Sequence, residues 1–212
     1  SVKVPISYLH DSDIIENDKI KTIALDNIDI QFIDSTTTVT LTNRLILPLI
    51  FYYYFDRKYD ITLGQNNFDQ KYSDFFKSSF ITESQRSGKY TLVNSNTSDY
   101  TLDISIDTID TKSNYRIIQS HMYFGVISMS IWDEKRSPSV SQLVLSVRLK
   151  NKNDIVFKRN YVFGKTQELS IPKSNNSKTL RTDFMTNMVE SLSLNTKGCI
   201  EIIIDDINRE IN

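Results

Sequence analysis

The chain reads as one α+β domain, a mostly antiparallel sheet with two amphipathic helices packed on one face. Three observations predict it. Several segments alternate apolar and polar residues, as where Tyr100, Leu102, Ile104 and Ile106 interleave with Thr101, Asp103, Ser105 and Asp107. Such a strand buries one face and wets the other. Two other stretches space their apolar residues helically: Phe68, Tyr72, Phe75, Phe76 and Phe80, then Leu180, Phe184, Met185, Met188, Val189 and Leu192. Both helices follow runs of strands, so both are expected on the sheet's apolar side.

Composition supports a self-sufficient core. Of 212 residues, 39% are hydrophobic, and a chain of this length buries roughly 70% of the surface it exposes when unfolded. Ala24 is the only alanine, so the helices depend on packing rather than propensity. The formal net charge is -1 and the cations are scattered. Nucleic-acid binding and electrostatic docking to anionic lipid both need clustered cations, and neither is expected. The single cysteine, Cys199, rules out an internal disulfide and four-cysteine zinc sites.

Residues 1–19 are polar and irregular apart from Val4-Pro5-Ile6, and read as a leading arm or tether; residues 20–212 form the domain. Residues 20–33 alternate as a strand, with Asp26-Asn27 marking a bulge or kink. Thr-rich residues 34–42 read as a loop and a short strand. Residues 45–55 are continuously apolar and aromatic, which predicts a strand covered on both faces, with Pro48 at an edge or bulge. Asp56-Arg57-Lys58 reads as the turn of a hairpin that returns through Tyr59 to Leu63.

The first helix is expected to start at a cap on Asn66 or Asn67, with Asp69 in its first turn, and to stop at Gly88 in the left-handed conformation. Strands follow at 89–93, 100–107 and 116–132, the last with a bulge or a close approach at Gly125. Residues 143–150 and 155–163 form a hairpin turning at 151–154. The last segment, from about 178 to 210, is helical, and Asn195 to Gly198 suggests two consecutive pieces.

Catalytic motifs fail on context. Gly164-Lys165-Thr166 lacks the earlier glycine of a phosphate loop, since Arg159 stands there. Ser170-Ile171-Pro172-Lys173 matches Ser-x-x-Lys, but Pro172 opposes the helix that motif needs. Only His10 and His121 could serve a triad, and neither has local support. Cys199 reads as a small buried hydrophobe. Asp103, Asp107, Asp110, Asp205, Asp206 and Glu210 read as solvated faces. No metal or cofactor is expected. The sequons at Asn96 and Asn175 arise readily in an Asn- and Ser-rich chain.

The feature left over is Phe51-Tyr52-Tyr53-Tyr54-Phe55. It reads either as a buried strand or as a hairpin presenting Tyr52, Tyr53 and Tyr54 to a partner or a membrane surface. Tyrosine suits contact, having an apolar body and a polar tip.

Residues Phe75-Phe76-Lys77-Ser78-Ser79-Phe80, Glu83, Arg86-Ser87-Gly88-Lys89-Tyr90 and Asp99-Tyr100-Thr101-Leu102, with the hairpin from Gln142 to Phe163 and the terminal helix, set an order over residues 65–212. That order resembles small envelope lipoproteins: the lipopolysaccharide-assembly lipoproteins and the auxiliary lipoproteins of ABC-type lipid transporters. The resemblance implies a non-enzymatic, periplasm-facing binding or assembly factor with an envelope protein or lipid as partner. It also implies an anchor on a cysteine upstream of Ser1, at the periplasmic or outer-membrane surface. Residues 45–63 depart from that pattern. Two alternatives stay open: a carrier of a small apolar or lipid ligand between sheet and helices, and a hydrolase on an unrecognised site.

Overall fold

A computed structural model of the chain describes residues 3–9, 21–30, 36–46, 51–93, 98–152, 154–168 and 177–211. The described strands are β1 (Lys21–Ile30), β2 (Thr36–Ile46), β3 (Phe51–Thr62), β4 (Tyr90–Val93), β5 (Tyr100–Phe124), β6 (Ile127–Arg136), β7 (Ser139–Asn151) and β8 (Asp154–Gln167). The helices are α1 (Tyr72–Ser87), which follows a 3-10 turn at Gln65–Asn67, and α2 (Ser177–Glu210). The protein is α+β, and its strands form one sheet.

The spine is β5, whose 25 residues contain neither glycine nor proline. It changes partners on both sides along its length. Its first half lies between β1, parallel, and β7, antiparallel. Its second half lies between β3 and β6, both antiparallel. On one side the change falls at Ser137-Pro138. Proline cannot donate to a ladder, and there β6 gives way to β7. Ser137 N–H donates to Asn114 O at 2.9 Å, and the Ser113 hydroxyl donates to Ser137 O at 3.0 Å. The sheet thus has a base, β4-β1-β5-β7-β8, and an arm, β2-β3-β5-β6.

The helices cover one face of the base. From α1, Phe76 and Phe80 are fully buried; from α2, Phe184, Met188, Ile203 and Ile207 are; Leu102, Leu145, Val147 and Leu149 meet them from the sheet. The Tyr72 hydroxyl lies 2.7 Å from that of Thr196 and joins the two helices in the core. Residues 3–9 pack on the same assembly: Val4 N–H donates to Asn67 O at 2.9 Å, and Val4 and Ile6 are buried.

Several expectations need correction. The sheet is mixed, because β1 runs parallel to both β4 and β5; apolar alternation carries no information on strand direction. The register shift between Leu25 and Asn27 is the irregularity expected at Asp26-Asn27. The hairpin of β2 and β3 pairs Ile46 with Tyr52, and residues 47–50, including Pro48, lie outside the described residues. Asp56-Arg57-Lys58 is therefore not a turn but the middle of β3. Arg116 neutralises Asp56, and the Arg57 guanidinium sits 3.8 Å above the Phe55 ring, so the strand tolerates the charges. Gly125 opens the β5-β6 turn at φ 60 rather than forming a bulge; glycine at that place in a two-residue loop fits a type II′ turn.

In α1 the cap is Lys71, and Asp74 rather than Asp69 lies in the first turn. Phe68 precedes the helix and still joins the core. Gly88 ends α1 in extended conformation, φ -75; its glycine is required because a Cβ would lie 2.5 Å from Ser84 O. The second helix is continuous through Gly198.

Candidate functional site

The arm extends past the helices, and its alternation sorts the residues into two faces. One face carries Tyr53, Phe55, Arg57 and Tyr59 from β3. From β5 it takes Tyr115, Ile117, His121 and Tyr123, and from β6 Ser130, Trp132 and Glu134. This face continues the helix-covered side. Tyr115 meets Phe184 of α2 with ring centroids 4.9 Å apart and stacks on Tyr59 at 4.4 Å. Burial pushes the Tyr115 phenol above its ordinary pKa. Further out, Tyr53 stacks with Phe55 at 6.2 Å and with His121 at 6.5 Å.

The opposite face carries Tyr52, Tyr54, Asp56 and Lys58, then Arg116, Ile118, Met122 and Phe124, then Ile127, Met129, Ile131 and Asp133. The Tyr54 hydroxyl donates to Asp56 Oδ2 at 3.3 Å. Arg116 Nε donates to Asp56 Oδ1 at 2.8 Å and holds that carboxyl below its usual pKa.

The tyrosines expected to share a contact surface are thus divided. Tyr53 is exposed on the helix side, while Tyr52 and Tyr54 are half-buried on the other. Beside them lies a second element that sequence reading passed over, the end of the β5-β6 hairpin. Phe124 is 60% exposed, Val126 103% and Ile127 65%. Tyr123, Met129 and Ile131 are exposed as well. A sequence signal for it exists: residues 117–132 contain no Asp, Glu, Lys or Arg, and apolar residues occupy both parities of the strand.

His121 meets a serine. Its Nδ1 lies 2.7 Å from Ser130 Oγ, directly across the β5-β6 ladder. The pair sits on an open sheet face, with Tyr53 rather than a carboxylate against the ring. Cys199 is remote from it, buried in α2 with its thiol pKa pushed up by burial. Gly164-Lys165-Thr166 lies inside β8, paired with Gln142, Ser141 and Val140, so it forms no phosphate loop. Ser170 to Lys173, Asn96 and Asn175 lie outside the described residues.

The acids are tied down more than expected. Asp103 pairs with Lys150 at 2.6 Å and Asp110 with Lys112 at 2.5 Å. Asp206 is not on a solvated face: it is buried, accepts from the Tyr161 hydroxyl at 2.7 Å and pairs with Arg159 at 2.5 Å. Among the described residues, no group of three or more His, Cys, Asp or Glu is placed to hold a metal ion. Between sheet and helices the core side chains form one buried cluster among the described residues. A depression of about 510 Å³ lies on the surface among Asp60, Thr62, Lys112, Asn114, Pro138 and Thr166.

No family model matches the chain, and no curated protein matches it. Among solved structures it is similar to the crystal structure of protein XCC0632 from Xanthomonas campestris, family-model DUF330, with 12% identity, 99% of each chain covered and a TM-score of 0.47.

Proposed function

We propose that this chain is a non-catalytic binding or assembly factor of the cell envelope, with the end of the β2-β3-β5-β6 arm as its working surface. One observation carries the reading. The exposed apolar residues Tyr53, Tyr123, Phe124, Val126, Ile127 and Met129 gather at the end that projects beyond both helices. Water solvates such a patch poorly, and patches of this kind mark interaction sites. The envelope placement follows from the resemblance over residues 65–212, and the partner is an envelope protein or lipid.

The test is site-specific photo-crosslinking in cells of the native host. A photoreactive phenylalanine analogue at Tyr53 or Tyr123 should give protein or lipid adducts. The same group at Val162, exposed on β8, should give few. Equal yields at all three positions, or none at the arm, would remove the reading.

A further inference from the structure

We propose that the end of the arm is a lipid-insertion tip: residues 123–127 enter the acyl boundary of one leaflet of a zwitterionic bilayer. This rests on the arm's end being the working surface, and adds what that surface meets.

Charge stops at nearly one height on three strands of the arm. Residues 117–132 and residues 45–55 contain no Asp, Glu, Lys or Arg. The charges next behind them on β3, β5 and β6 fall nearly level. Asp56, Ile118 and Asp133 are cross-strand partners, and Lys58, Arg116 and Lys135 form the row two residues further back; on the outer strand β2, Arg44 stands two residues nearer the tip, opposite Tyr54. From the Asp56 row to the Phe124–Ile127 pair, β5 runs about 20 Å at ~3.4 Å per residue. That length keeps these charges outside a headgroup layer of roughly 5–8 Å when only the turn reaches the acyl chains. A protein-binding patch needs no such level boundary across three strands, whereas a water–lipid interface imposes one.

Exposed apolar or aromatic side chains stand on both faces of the tip. Phe124 and Ile127 belong to one face, Tyr123 to the other, and all are exposed. Docking against a protein surface would cover one face and leave the other wet. A surrounding apolar medium covers both.

Backbone chemistry limits the depth. Among the described residues β6 pairs only with β5, so its outer edge keeps backbone groups that hydrocarbon would leave unpaired. Insertion is therefore confined to the turn and the pair beside it. Tyr53, His121 and Ser130 lie in the next rows back, at headgroup level, where amphipathic rings are favoured. The collar behind them carries both signs, with Asp56 and Arg116 paired. It offers both signs to zwitterionic headgroups, because Arg57, Lys58, Arg116 and Lys135 stand among Asp56, Asp133 and Glu134 rather than as an unmixed cationic patch.

The experiment is flotation of the purified 212-residue chain with phosphatidylcholine vesicles. The chain should co-float, with a partition coefficient little changed between low and high salt. Phe124→Ser with Ile127→Ser should lower it by about a hundred-fold or more, since each buried apolar side chain is worth about ten-fold or more. Both residues are exposed, so the double variant should keep the parent's thermal unfolding; if it does not, Val126→Ser, at a wholly exposed turn position, replaces it. Ile155→Ser with Val162→Ser, on the exposed surface of β8, should leave flotation unchanged. A Val126→Trp variant should be quenched by bromine on the acyl chains more strongly than native Trp132, which lies beside the collar. Absence of flotation, flotation insensitive to the tip, or tip variants that change only the oligomeric state would overturn the proposal. Protein crosslinks from Tyr53 persisting alongside a negative flotation result would sink lipid insertion while leaving the arm as the working surface.

Discussion

Asp56 on β3 and Arg116 on β5 form a diagonal ion pair that marks the last charged level of those two strands. The guanidinium is largely exposed, so the pair matters for position more than for stability. The Arg116 hydrogen bonds hold the Asp56 carboxyl below its usual pKa. A group depressed on folding stabilises above its unfolded pKa of about 3.9 and loses that contribution as pH falls through the folded value. Asp56→Asn should therefore cost no more than about 1 kcal/mol at pH 7. The difference from the parent should vanish on acidification, as read by urea titration at several pH values.

Asp206 is the more consequential acid. Burial alone would raise its pKa, but the bonds from Tyr161 and Arg159 outweigh burial and leave the carboxyl below its ordinary value. It ties α2 to β8 through the Tyr161 hydroxyl. Asp206→Ala leaves that hydroxyl buried without its acceptor, and about 2–3 kcal/mol should be lost at pH 7. The loss should shrink below about pH 4, because the parent also gives up the interaction as its carboxylate is protonated.

These two aspartates show where sequence reasoning stops. The α1 face, the β7-β8 hairpin and the core rows of β5 were legible, because period and turn residues are local properties. Asp56-Arg57-Lys58 misled because a charged triplet marks a turn unless distant residues neutralise it. Here Arg116 does so from sixty positions away, while Phe55 receives Arg57. Asp206 misled in the same way, since its partners lie on β8. Parallel pairing of β1 leaves no local mark. For the site, the aromatic run of β3 stood out by composition, yet the division of Tyr53 from Tyr52 and Tyr54 follows from strand alternation. The turn of the β5-β6 tip carries no such mark, because a glycine inside residues 116–132 fits a bulge within one strand as well as the turn that exposes Phe124, Val126 and Ile127.

The His121–Ser130 contact bears on catalysis. A serine nucleophile needs its base oriented by a third group and donors for the oxyanion. Here Tyr53 stacks beside the imidazole, on an open sheet face. The purified protein should form no adduct at Ser130 with a fluorophosphonate probe, by intact mass and peptide mapping. Stoichiometric labelling abolished by His121→Ala would instead restore the hydrolase reading.

Cys199 provides a built-in reporter of global opening. It is fully buried in α2 and its thiol is held protonated by burial, whereas reaction needs an exposed thiolate. Modification by a chromogenic disulfide should be at least about a thousand-fold slower in native buffer than in denaturant, since core sites open only near the global unfolding free energy. The ratio should fall in step with the stability lost in Asp206→Ala.

Gly125 and Gly198 should respond to the same substitution with opposite signs. Gly125 has φ 60, a conformation that costs an L-residue roughly 1–2 kcal/mol, so Gly125→Ala should destabilise by about that amount despite open space around it. Gly198 lies inside α2, and a Cβ there meets nothing within 4 Å. Replacing an interior helical glycine by alanine gains roughly 0.8–1 kcal/mol. Gly198→Ala should therefore raise the urea midpoint while Gly125→Ala lowers it. The result at position 198 separates one helix from two: in a chain broken between Asn195 and Gly198, glycine would sit at a terminus, and alanine there would give no such gain.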